Sequence, residues 1–124
     1  HDAVRPFVSN RMIRKVVEES LNYDGAVIGL KSPDLILEAK RGQILKPLNK
    51  DLTYAGGTPQ CFRFEKLLSA HKKFKRLNKP KDNIELIKRL DIKSRIKIIE
   101  GFYPIFKLTY KKDLEMIKPL LYEK

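Results

Sequence analysis

His1-Asp2-Ala3-Val4-Arg5-Pro6-Phe7 sets a carboxylate, a guanidinium and a chain-stiffening proline close together, just ahead of a helix signal. An Asp-x-x-Arg-Pro run followed by a helix has the character of a loop at the C-terminal end of a buried strand. In open α/β sheets, ligands bind beyond such strand ends. No apolar run stands ahead of His1 to supply the strand. The expectation is the back part of a larger α/β domain, with this loop at its site.

Downstream of the loop, Ser9 is a good N-cap. Met12, Ile13, Val16, Val17 and Leu21 then recur at helical spacing, which predicts a helix over about residues 10–22. Gly25 breaks it, with the freedom to take positive φ. Ala26-Val27-Ile28-Gly29-Leu30 reads as a buried strand. Residues 35–39 and 44–48, joined across Lys40-Arg41-Gly42-Gln43, read as a hairpin. Two strands alone are marginal in water. Residues 49–57 read as loop, leading into a Thr58-Pro59-Gln60 turn. A basic helix is expected over about 64–76, with Leu67, Leu68 and Phe74 inward. Asp82 is expected to cap a helix over about 83–91. Strands are expected at 95–100 and 105–108, with Thr109 capping a last helix that contains Pro119.

A chain of 124 residues supports one domain with one modest core. No apolar stretch is long enough to span a membrane. The single cysteine excludes an internal disulfide and fits a reducing cytoplasm. Cys61 has no histidine placed to activate it and reads as a packing residue. His1 and His71 are not a credible metal pair. A net charge of +12 favours anionic partners, or is simply a solvated lysine surface.

Three motifs carry a resemblance. They are His1-Asp2-Ala3-Val4-Arg5-Pro6, then Thr58-Pro59-Gln60-Cys61-Phe62, then Glu100-Gly101 followed by Phe106-Lys107-Leu108-Thr109. In order and rough spacing the chain resembles the cytidylyltransferases that act on 2-C-methyl-D-erythritol 4-phosphate or ribitol 5-phosphate. The resemblance implies an α/β fold: the C-terminal part of a Rossmann-like, mostly parallel nucleotidyltransferase sheet. It also implies a β-hairpin arm at about 34–50 that builds a homodimer, and residues 1–124 as one portion of a single domain. The implied reaction moves CMP from CTP to a sugar-alcohol phosphate and releases pyrophosphate, with Mg2+ as cofactor, in the cytoplasm and without membrane or nucleic acid.

The same resemblance places Asp2, Ala3 and Arg5 beside the acceptor, and Thr58 and Gln60 in the pocket wall. It gives Lys107 the positioning of the acceptor phosphate. It makes Lys50 the counterpart of a partner-subunit arginine on the arm. Bland readings stand beside these: an Asp2–Arg5 pair or helix cap, an edge-strand Lys107, a loop Lys50, and a structural turn at Gln60. Three positions depart from the family pattern: Leu35, where a threonine would touch the phosphate, Lys81 and Ile105. The family's Gly-rich CTP loop and its Pro-Lys-Gln segment are absent, so these residues alone are not expected to bind CTP well. The rival class is a basic nucleic-acid module built on His71-Lys72-Lys73-Phe74-Lys75-Arg76 with Lys79 and Lys81. A further rival is a dimerising remnant of the enzyme.

Overall fold

The structure is a computed structural model that describes residues 1–75, 80–101 and 106–122. Ser9 starts the first helix as its sequence predicts: the Met12 amide donates to Ser9 Oγ at 3.2 Å, opening α1 (Asn10–Ser20). The buried face of α1 is narrower than the periodicity suggests. Val16 is buried, whereas Ile13, Val17 and Leu21 stay largely exposed.

The central strand β1 (Gly25–Lys31) follows at once. Gly25 is not a positive-φ turn. It opens the strand, and a Cβ there would lie 2.3 Å from the Phe62 ring, so a side chain is excluded by close packing. β1 pairs antiparallel with β4 (Tyr54–Phe62) and parallel with β5 (Ile96–Glu100), giving the order β4-β1-β5. The expectation of a mostly parallel sheet therefore does not hold among the described residues, where one of the two pairings is antiparallel. The antiparallel pairing arises because the chain returns through a hairpin, not a crossover helix, between β1 and β4.

β4 itself corrects a second expectation. Residues 54–62 are strand, and only Lys50–Leu52 form a short 3-10 turn, capped by Asn49. Glycines and a proline argue against a strand from sequence. Here they are absorbed by a bulge: Gly56 faces Gly29 and Gln60 faces Val27, so Gly57, Thr58 and Pro59 together oppose Ile28. Pro59 needs no ladder donor in such a bulge.

The sheet carries helices on both faces. Val16 of α1 packs with Ala26, Ile28 and Ile99 on one side. On the other, Ala70, Leu86 and Ile87 of α2 (Phe64–Lys73) and α3 (Asn83–Leu90) pack with Phe62 and Ile96. Leu67 and Phe74 point inward as predicted, whereas Leu68 is 40% exposed. Asp82 caps α3 as predicted, its Oδ1 accepting from the Glu85 amide at 2.8 Å. An ion cluster ties one end of this layer together. Lys66 Nζ lies 3.0 Å from Asp24 and 2.9 Å from Asp91.

The hairpin is present as β2 (Leu37–Lys40) and β3 (Gln43–Pro47). Arg41 and Gly42 both have positive φ, as a two-residue hairpin turn demands. All nine strand residues are exposed.

The last helix, α4 (Asp113–Tyr122), contains Pro119 as foreseen, but its cap differs. Asp113 Oδ2 reaches back to accept the Tyr110 and Thr109 amides at 2.8 and 2.9 Å, while the Thr109 hydroxyl bonds the Lys107 carbonyl. Asp113 has two amides in reach, which a Thr109 side chain would not satisfy. The expected strand at 105–108 is not found over 106–108; Ile105 lies outside the described residues, as do Arg76 and Lys79 of the basic run. A single ladder-like bond remains there, from the Leu108 amide to the Val4 carbonyl at 2.9 Å.

Candidate functional site

The opening loop folds on itself, with the Arg5 amide donating to the Asp2 carbonyl at 3.0 Å. The β4 bulge meets it there. The Asp2 amide donates to Thr58 Oγ1 at 3.0 Å, and His1 Nδ1 lies 3.0 Å from the same hydroxyl. On the far side, the Leu108–Val4 bond brings Lys107 beside Asp2. Sequence-distant parts of the chain thus meet around one recess of about 370 Å³.

The recess is polar, with two cations, Arg5 and Lys107, and two carboxylates, Asp2 and Asp82, in its lining. Asp2 Oδ2 lies 3.4 Å from Arg5 Nε and 3.8 Å from Lys107 Nζ. Arg5 is the more enclosed cation, with its side chain 13% exposed against 49% for Lys107. Gly56, Gly57 and Gln60 of β4 and Asn83 at the start of α3 also line it. Asp82 also lines the recess, but its carboxylate is engaged by the α3 cap. Arg5 and Lys107 flank the Asp2 carboxylate and offer N–H donors to a phosphate, while Asp2 can accept from an adjoining hydroxyl.

The IspD family model, described as 2-C-methyl-D-erythritol 4-phosphate cytidylyltransferase, matches residues 1–123. The chain belongs to this family. Family members are cytidylyltransferases. The chain is 32% identical over 122 residues to the 2-C-methyl-D-erythritol 4-phosphate cytidylyltransferase of Aquifex aeolicus, covering 98% of this chain and 56% of that protein. Against the Fusobacterium nucleatum enzyme of the same name it is 37% identical over 124 residues, covering 94% of this chain and 51% of the relative. The crystal structure of the Thermus thermophilus enzyme of that name matches with a TM-score of 0.83 at 27% identity, over 98% of this chain and 59% of that one. The fold is also that of 4-diphosphocytidyl-2C-methyl-D-erythritol synthase from Anaerococcus prevotii, with a TM-score of 0.87 at 24% identity over 98% of this chain and 56% of that one. The chain spans about half the length of the curated relatives it matches.

Of the residues that the cytidylyltransferase resemblance singles out, the fold brings Asp2, Arg5, Thr58, Gln60 and Lys107 together. Ala3 is exposed and does not line the recess. Lys50 opens the 3-10 turn at the base of the hairpin and also lies outside the recess lining. Leu35 is exposed beside the hairpin, away from the recess. Lys81 is exposed, and its amide donates to Glu85 Oε2 at 2.8 Å. Cys61 packs against the α1 side of the core and takes a hydrogen bond from Ser20 Oγ at 3.3 Å. His71 is exposed on α2.

Gly56, Gly57 and Asp82 line the recess without being singled out for it in the sequence reading, and His1 and Asn83 do so too. His1 is weighed there only as a metal ligand, although its place beside Asp2 in the first motif marks it. Asn83 is hidden because a helix N-terminal residue carries no signal of what it faces. Among the described residues no group of three His, Cys, Asp or Glu side chains could hold a metal ion. No described helix is long and apolar enough to cross a membrane. The family match weighs against the nucleic-acid reading of the basic run, which α2 carries in part as an exposed face.

Proposed function

We propose that this chain supplies the acceptor site of a cytidylyltransferase that moves CMP from CTP onto 2-C-methyl-D-erythritol 4-phosphate and releases pyrophosphate. The observation that carries this reading is the convergence of Asp2, Arg5 and Lys107 on one recess in a chain of this family. Lys107 and Arg5 neutralise and aim the acceptor phosphate. The Asp2 carboxylate accepts a hydrogen bond from a polyol hydroxyl. An acceptor phosphate oxygen then attacks the α-phosphorus of CTP. A new P–O bond forms, the bond to the β-phosphate oxygen breaks, and pyrophosphate leaves. Such transfers depend mainly on positioning and charge neutralisation, which fixed cations provide.

The CTP triphosphate is held by protein outside these 124 residues, in the half of the relatives' length not represented here. Mg2+, an ion that one or two carboxylates hold together with substrate phosphates and water, would neutralise the CTP phosphates. The exposed β2–β3 hairpin is covered by a second subunit, and Lys50 at its base reaches the neighbour's recess. Leu37, Ile44 and Leu45, all 44–63% exposed, support a partner there. The free thiol of Cys61 accords with a cytoplasmic setting.

The test is pyrophosphate release by the full-length protein with CTP and each acceptor in turn. 2-C-methyl-D-erythritol 4-phosphate should give the highest kcat/KM. Preference for ribitol 5-phosphate would reassign the acceptor, and no release with either would remove the function.

A further inference from the structure

His1 sits at the centre of a closed set of hydrogen bonds. Its Nε2 lies 3.1 Å from the Arg5 carbonyl oxygen, and its Nδ1 lies 3.0 Å from Thr58 Oγ1. A carbonyl can only accept, so Nε2 carries the proton. In the neutral ring Nδ1 must then accept. Thr58 Oγ1 already receives the Asp2 amide at 3.0 Å, and its own proton is free to go to Nδ1. The direction is consistent at every step: Asp2 N–H to Thr58 O–H, Thr58 to His1 Nδ1, and His1 Nε2–H to the Arg5 carbonyl. The ring therefore clamps the backbones of Asp2 and Arg5 to the β4 bulge. Those are the two residues whose side chains form the ion pair at the recess.

We propose that His1 is a positioning residue of the acceptor site, held as the Nε2–H tautomer, which fixes Asp2 and Arg5 through Thr58. The proposal rests on the reading of the recess as an acceptor site. His1 itself makes no contact with the reacting atoms. Its effect passes through the loop, and it is coupled to Thr58 because both belong to one chain of donors and acceptors.

Two measurements on the full-length protein test it. The first is kinetic, in a double-mutant cycle. His1→Phe keeps a flat ring and removes both contacts; it should lower kcat/KM for the acceptor by about tenfold and leave KM for CTP unchanged. Thr58→Val should do the same, the double variant should be no worse than either single one, and Thr58→Ser should restore most of the loss. Losses that multiply in the double variant, or a His1→Phe enzyme within about twofold of wild type, would overturn the proposal. The second measurement is the 15N shifts of the imidazole, with the His1 signals assigned by their loss in His1→Phe. A fixed Nε2–H tautomer whose Nδ1 shift moves in Thr58→Val supports the clamp. An Nδ1–H tautomer or an averaged pair refutes it, whatever the enzyme does. If no polyol phosphate yields pyrophosphate, the functional reading fails by itself, and the nitrogen shifts still decide the clamp.

Discussion

Ile28 and Ile44 are the same side chain in two strands of one chain, with opposite circumstances. Ile28, in β1, is 1% exposed and packed between α1 and β5; Ile44, in β3, is 63% exposed. The sheet around Ile28 makes its own interior, and the hairpin around Ile44 has none. Only the first region buries its apolar side chains within the described residues of this chain. The second keeps its shape through ladder hydrogen bonds and a turn with two positive-φ residues, while its apolar side chains face outward. The candidate site follows the same line: the recess is assembled from the self-sufficient region, and Lys50 stands at the base of the other.

The largest expected effect tests that division directly. Ile28→Ala should cost about 2–5 kcal/mol in denaturant unfolding, through lost burial and a residual cavity. Ile44→Ala should stay within about 0.5 kcal/mol at concentrations where the protein is monomeric. Equal losses would erase the distinction. Next, Lys107→Ala should lower kcat/KM for the acceptor by about a hundredfold with little change in melting temperature, because the side chain is half exposed. A large drop in melting temperature would instead make Lys107 a structural strut.

Smaller effects sharpen the picture. Ile44→Glu should convert a dimer to a monomer in sedimentation velocity and leave the circular dichroism spectrum unchanged. Retention of the dimer would take the hairpin out of the interface. The smallest effect concerns the Lys66 cluster. The Arg95 amide, and then Lys66, hold the Asp24 carboxyl below its ordinary value of 3.8; Lys66, and then the Lys93 amide, do the same for Asp91. Depressed carboxyls contribute stability that is present above the ordinary value and lost as pH falls through the lowered one. Lys66→Met should therefore destabilise most near neutral pH, and the difference from wild type should shrink below about pH 3.8. A gap that stays constant with pH would assign the loss to packing.

Where local chemistry decides, the sequence was readable. Ser9 and Asp82 announce their helices, and the apolar run at 26–30 announces the central strand. The misses share a cause, which is that the deciding partner is far away in sequence. Gly56-Gly57-Thr58-Pro59 is strand only because β1 lies alongside and a bulge excuses the proline. Lys107 and Leu108 look like a strand, but the partner of Leu108 is an irregular loop at Val4. Thr109 yields its capping role to Asp113. The site was legible through its three motifs, which name Asp2, Arg5, Thr58 and Lys107. His1 and Asn83 become visible only when the loop, the bulge and α3 are set around one recess.

The bond between the Leu108 amide and the Val4 carbonyl has a consequence for timing. It joins two residues far apart in sequence, on either side of all three sheet strands, so closing it requires the intervening segment to be made and ordered. The β1–β4 pairing can form while the later residues are still being synthesised. The recess cannot, since it also needs Lys107, which follows β5. The recess is therefore completed after the β1–β4 pairing, and only once Lys107 stands beside Asp2.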